Sequence, residues 1–140
     1  MRPQDQIAET LRAKGYRITG ARKAILDCLL SATSPLSAAD IHLMLRKRKL
    51  AADKVTVYRE MEMLEKEGIV VPIQLQDRNR RYELASLDHH HHLICQNCHR
   101  IDDVELHDDF TPQERAIAQR NKFKVLRHSL EFFGLCQRCQ

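Results

Sequence analysis

Two C-x-x-C pairs, Cys95-Gln-Asn-Cys98 and Cys136-Gln-Arg-Cys139, bracket residues 99–135 and constrain this chain more than any other feature. Each pair can grip one metal ion at a turn, and two pairs complete the four-thiolate tetrahedron that Zn²⁺ favours, with no position left open for chemistry. The spacing therefore predicts a structural zinc on Cys95, Cys98, Cys136 and Cys139. In zinc-finger peptides such binding contributes folding free energy on the order of 10 kcal/mol, so it can substitute for missing core. The competing reading, a thioredoxin-like redox pair with the other pair incidental, leaves the second C-x-x-C unexplained. A zinc deaminase needs an H-x-E element and a proline before its C-x-x-C, and the sequence has neither.

A stabilising metal suits a chain of 140 residues, which can form one ordinary domain or two small ones with modest cores. No apolar run is long enough to cross a bilayer or to act as a signal peptide. The expectation is a cytoplasmic protein with no membrane partner, in which the five cysteines stay reduced. Charge is unevenly spread: residues 1–84 carry 16 Lys and Arg against 11 Asp and Glu, whereas residues 85–140 carry 7 against 8. The basic half is a candidate for binding a polyanion.

Periodicity divides the chain at the same place. Residues 1 to about 68 read as helices separated by short breaks. Ala21, Ala24, Ile25, Cys28 and Leu29 share one helical face, which makes Cys28 a core residue. Ser37-Ala-Ala-Asp40 resembles a capping box ahead of Ile41, Met44 and Leu45. Asp53 can cap a further helix with Val57, Met61 and Leu64 buried and Tyr58, Arg59 and Glu62 on the other face, stopped by Gly68. Ile69–Leu75 and Arg80–Leu84 then read as two strands around the polar turn Gln76–Asn79. Helices followed by a β-hairpin predict a winged helix-turn-helix over residues 1–84.

Residues 85–140 predict a small α/β unit, giving an α+β chain overall. Its strand candidates are His91–Cys95, Arg100–Leu106 and Lys124–Phe133. A helix over Thr111–Asn121 is predicted with Thr111 as cap, Pro112 at its first position and Glu114 completing a capping box.

Four consecutive histidines run into the first of these strands. Because side chains alternate across a strand, His89 and His91 face one side while His90 and His92 face the other. One segment thus offers two ligands to each of two metal sites; a solvated polar edge is the plainer alternative. Glu83 on the preceding strand and Asp103 on the following one can join His90 and His92. His128, alternating with Leu126 and Leu130 on an apolar strand face, can join His89 and His91, whereas His42, His99 and His107 read as surface residues.

Taken together, Thr56-Val-Tyr-Arg59, His89-His-His-His-Leu-Ile-Cys-Gln-Asn-Cys98 and His128-Ser-Leu-Glu-Phe-Phe-Gly-Leu-Cys136 closely resemble the ferric uptake regulator family, with similarity from about Tyr16 to Cys139. The resemblance implies a metal-activated repressor rather than an enzyme. It would be a homodimer on a palindromic operator in double-stranded DNA, with a C-terminal dimerisation domain. It also implies that Tyr58 and Arg59, with Thr56, enter the major groove while Arg17 approaches the minor groove. Arginine can bind guanine bidentately and a tyrosine ring can contact a thymine methyl. Arg22 looks like a phosphate contact, which would set register without reading sequence.

The same resemblance implies a sensing site of Glu83, His90, His92 and Asp103. The family's histidine from the DNA-binding domain aligns with Pro35, and proline cannot ligate metal. For the site of His89, His91 and His128, the family's carboxylate aligns near Thr111 across a one-residue insertion, so Asp109 or Glu114 would serve instead, Glu114 being the candidate adopted. The implied cofactors are structural Zn²⁺ and a second divalent metal, Fe²⁺ or Zn²⁺ with Mn²⁺ or Ni²⁺ as further options, which ligand type does not separate. Three rivals remain: a peroxide-sensing regulator of the same family; a metalloenzyme hydrolysing a substrate at the His/carboxylate site, which leaves Thr56–Arg59 without a purpose; and a metal-storage or buffering protein, which would not bind DNA.

Overall fold

Side-chain caps decide where the helices of the first unit begin. The computed structural model describes residues 2–74, 80–87, 90–106 and 109–140, and it divides into two units, Met1–Leu87 and Asp88–Gln140. The first opens with α1 (Pro3–Ala13), α2 (Gly20–Ser31), α3 (Ala38–Lys47) and α4 (Lys54–Lys66). The side chains of Thr19, Ser37 and Asp53 accept the backbone N–H groups of Arg22, Asp40 and Thr56, which would otherwise be orphaned in a first turn. Ser37 and Asp40 form the full reciprocal capping box. Past α4, Gly68 takes φ +72°, a conformation open to glycine at little cost, and the chain turns out of the helix.

One apolar core holds these helices together. Ile25, Cys28, Ile41, Leu45, Val57, Met61 and Leu64 are all buried, with Leu11 of α1 and Tyr82 and Leu84 of the hairpin closing the cluster. The hairpin is antiparallel, β1 (Val70–Gln74) on β2 (Arg80–Leu84), in the register Val70 to Leu84; the expected turn at residues 76–79 lies outside the described residues. Leu36 adds a bridge on the free side of β2, exchanging backbone hydrogen bonds of 2.9 and 2.7 Å with Tyr82. Both backbone groups of Tyr82 thus point away from Pro72, its partner on β1. Pro72 occupies a non-hydrogen-bonded position on an edge strand, where its missing N–H costs nothing.

The second unit is a three-stranded sheet in the order β4 (Ile101–Val104), β3 (His91–Cys95), β5 (Glu131–Gly134), with α5 (Thr111–Asn121) between β4 and β5. β3 pairs antiparallel with β4 and parallel with β5. The sequence-based expectation needs correction at two places. Lys124–Leu130 is not strand, and Leu126 is 82% exposed, so no apolar strand face runs from Leu126 through His128 to Leu130. Phe110, not Thr111, occupies the N-cap of α5; the N–H of Thr111 is taken by the Asp109 carboxylate at 2.9 Å, and Glu114 bonds His128 instead of closing a capping box.

Leu64 is fully buried at the centre of the first unit. Leu64→Ala is expected to destabilise that unit by about 3 kcal/mol through lost burial and the cavity left behind, read as a lower urea midpoint in far-ultraviolet circular dichroism.

Candidate functional site

Strand register brings the four paired cysteines together. Cys95 ends β3 directly opposite Gly134 on β5, so the chain beyond Gly134 delivers Cys136 and Cys139 to the sheet end where Cys95 and Cys98 already turn. The first turn is closed by the His99 N–H on the Cys95 carbonyl at 2.9 Å, with His99 at φ +63°, and the second by Cys139 N–H on the Cys136 carbonyl, also 2.9 Å. All four sulfurs lie within 4.8 Å of one another, and Cys98 Sγ is 3.8 Å from Cys136 Sγ. A ZnS₄ tetrahedron with bonds of about 2.3 Å has edges of about 3.8 Å, so the donor set fits zinc in number, softness and spacing.

Electrostatics inside the cluster point the same way. Backbone N–H groups of Cys136 and Cys98 donate to Cys95 Sγ and lower its pKa to about 6. For Cys139 a hydrogen bond from Asn97 is outweighed by the crowded sulfurs of Cys136, Cys95 and Cys98, which push its thiol up to about 11. Four thiolates at this spacing repel, and a divalent cation removes the conflict.

The strand alternation expected for the histidines holds for those described. His92 lies opposite Asp103 across the antiparallel pair, on the same side of the sheet as His90. The two imidazole Nε2 atoms are 3.1 Å apart, and one Asp103 carboxylate oxygen lies 3.7 Å from His90 and 3.8 Å from His92. On the opposite side His91 stacks on His128 with ring centroids 5.8 Å apart, and His128 Nδ1 meets the Glu114 carboxylate at 2.5 Å. Phe110, which the sequence analysis did not single out, packs edge-on against both rings at 6.1 and 5.1 Å. Its position carries no motif. His89 and His107 lie outside the described residues. Glu83 sits on β2 of the first unit, and the antiparallel bridge between Leu36 and Tyr82 puts Pro35 next in line to it.

In the first unit α4 displays Tyr58, 44% exposed, and Arg59, also exposed, while Thr56 is half-buried. Arg17 is exposed on the connection between α1 and α2. Among the described residues neither Arg17 nor Arg59 enters an ion pair, whereas Arg22, Arg80 and Arg81 each have a carboxylate partner. The guanidinium of Arg22, expected as a phosphate contact, lies on the Glu60 carboxylate at 2.7 and 2.8 Å. No helix among the described residues is long and apolar enough to cross a membrane.

The ferric uptake regulator family model matches residues 13–133. The chain belongs to the ferric uptake regulator family. It is 34% identical to the ferric uptake regulation protein of Bacillus subtilis, covering 96% of this chain and 93% of that one. It is also 34% identical to the peroxide operon regulator of the same organism, covering 94% and 89%. The crystal structure of the Vibrio cholerae ferric uptake regulator superposes with a TM-score of 0.74 at 26% identity, covering 93% of this chain and 99% of the other. The protein is accordingly a metal-responsive regulator of this family, α+β in class, with a winged-helix DNA-binding fold and a metal-binding unit fitted to structural zinc and a second metal.

Replacing Cys98 by serine removes one tetrahedral vertex. The variant is expected to retain less than a tenth of the zinc of the parent after dialysis against a mild chelator, by elemental analysis, because the remaining three sulfurs leave the ion open to water.

Proposed function

We propose that this chain is a metal-dependent transcriptional repressor that binds a palindromic operator in double-stranded DNA as a homodimer and controls metal-uptake genes in the cytoplasm. The observation that carries the reading is the convergence of His90, His92 and Asp103, two imidazole nitrogens 3.1 Å apart facing one carboxylate. Glu83, on the strand of the winged-helix unit, is the proposed fourth ligand. A divalent ion held by Glu83 and by the imidazoles of the second unit restricts how the two units are oriented. Restricting that orientation favours the spacing of recognition helices that two operator half-sites require. Tenfold preference of the ion for that state is worth about 1.4 kcal/mol.

Cys95, Cys98, Cys136 and Cys139 are the proposed structural zinc ligands. His91, His128 and Glu114, with His89, form the proposed additional site. Thr56, Tyr58, Arg59 and Arg17 are the proposed DNA-contacting residues, supported by their exposure and by two arginines left without ion pairs among the described residues. The homodimer is supported by the second unit, in which Ile117, Phe123, Leu126, Phe132 and Leu135 are exposed in the single chain.

Imidazole and carboxylate donors accept Fe²⁺, Zn²⁺, Mn²⁺ and Ni²⁺. The deciding experiment titrates each ion into protein holding only its tight zinc and follows operator binding by fluorescence anisotropy at fixed salt. Fe²⁺ or Zn²⁺ is expected to tighten binding at least tenfold, and His90→Ala to abolish that gain while leaving zinc at the cysteines. Operator affinity indifferent to all four ions would remove the proposal.

Equal identity to the two Bacillus relatives gives a second reading, a peroxide-sensing regulator using iron at the same ligands. It predicts that the iron-loaded protein gains one oxygen atom on His90 or His92 within minutes of peroxide addition, by peptide mass spectrometry. An unmodified peptide after full loss of operator binding excludes it.

A further inference from the structure

The α1–α2 connection and the first turn of α2 are tied to α4 and its C-terminal cap at two places, two turns apart. At one, the Tyr16 hydroxyl donates to Glu67 Oε1 at 2.8 Å and Lys14 Nζ pairs with Glu67 Oε2 at 2.8 Å. At the other, Arg22 Nε and Nη2 donate to the two carboxylate oxygens of Glu60 at 2.8 and 2.7 Å. The guanidinium has one more nitrogen, and Nη1 donates to the backbone carbonyl of Arg17 at 2.5 Å. Its face lies over the Tyr16 ring, 5.4 Å from the centroid. The Arg22 and Glu60 side chains are only 13% and 15% exposed, so the pair is shielded from the screening that weakens surface ion pairs.

A planar fork of this kind fixes direction as well as distance. With two donors on a carboxylate of α4 and a third on the Arg17 carbonyl, it sets the Arg17 backbone relative to α4. Glu60 is also the residue next to Arg59, and its charge is spent on Arg22. Among the described residues neither Arg59 nor Arg17 has an ion pair. Both exposed arginines stay available while the backbone under one of them is held to the helix that carries the other.

We propose that Arg22 and Glu60 are positioning residues for DNA reading: their fork holds the Arg17 backbone against α4, so that Arg17 and the Tyr58–Arg59 pair meet the duplex at a set spacing. The inference rests on the proposed DNA contacts of Arg17, Tyr58 and Arg59. Its energetic basis is preorganisation, since a side chain on a fixed backbone loses less freedom on binding. A direct phosphate contact by Arg22 makes the opposite demand, because the carboxylate beside it would be repelled by the same phosphate.

Those demands differ in sign under Glu60→Gln. Removing a negative charge from a DNA-binding surface ordinarily tightens binding to a polyanion. Positioning predicts the reverse. Operator affinity of the full-length, zinc-holding dimer with its activating metal is measured by fluorescence anisotropy at fixed salt, alongside an unrelated duplex. Glu60→Gln is expected to weaken operator binding about tenfold and to change binding to the unrelated duplex less than twofold. In an Arg17→Ala background the same substitution is expected to have no further effect, as two residues acting through one contact are non-additive. Arg22→Lys, which keeps the charge and loses the fork, is expected to behave like Glu60→Gln, and it serves as the test if Glu60→Gln does not fold.

Operator binding unchanged or tighter in Glu60→Gln, or a weakening that persists undiminished in the Arg17→Ala background, overturns the proposal. Arg17→Ala and Arg59→Ala separate this failure from the one beneath it. If both leave operator binding unchanged, the DNA contacts themselves are wrong. If both weaken it while Glu60→Gln and Arg22→Lys do not, the contacts stand and only the positioning role falls.

Discussion

Parallel pairing of β3 with β5 is the contact on which the second unit depends. It sets Cys95 across from Gly134 and so gathers both cysteine pairs at one end of the sheet. There is little else to hold that end. Among the described residues of the unit, the buried apolar ones are Ile94 and Cys95, and α5 buries none of its side chains. A thiol lowered to about 6 beside one raised to about 11 describes a cluster that does not ionise evenly by itself. Ligand ionisation, ion binding and closure of the sheet end are therefore one coupled event, in which protons compete with the ion.

The first unit is built on the opposite principle. Its helices meet over a continuous apolar cluster, and no ion is needed to hold them. Charge there has a different job. Arg22, Arg80 and Arg81 lie in pairs with Glu60, Glu65 and Asp40, which tie α2 to α4 and the hairpin to α4 and α3. Arg17 and Arg59 are left exposed. The net positive charge thus resolves partly into ties within the unit and partly into exposed groups without an ion pair, of which Arg17 and Arg59 are two.

What was legible in the sequence was whatever is written locally. Ser37 and Asp53 cap helices because each lies a few residues from the N–H it accepts. The separation of His90 and His92 from His91 follows from the pleat alone, and the cysteine spacing identifies its own geometry. What was not legible depends on partners far along the chain. Nothing in the periodicity pairs Arg22 with Glu60, and Glu114, which fits a capping box by spacing, is claimed instead by His128. Lys124–Leu130 alternates like a strand yet forms none, because alternation says that a segment is two-faced and not that a neighbouring strand exists to pair with it.

β2 shows how little slack the winged unit contains. Its consecutive residues Arg80, Arg81 and Tyr82 are fastened to Glu65 on α4, to Asp40 on α3 and to Leu36 ahead of α3. Asp40 is at the same time the acid of the α3 capping box, so the strand grips that helix by the group that starts it. Glu83 is the next residue along. A pull on the Glu83 carboxylate would be passed along β2 to α3 and α4 through these ties, so that the strand would act as a lever on both helices.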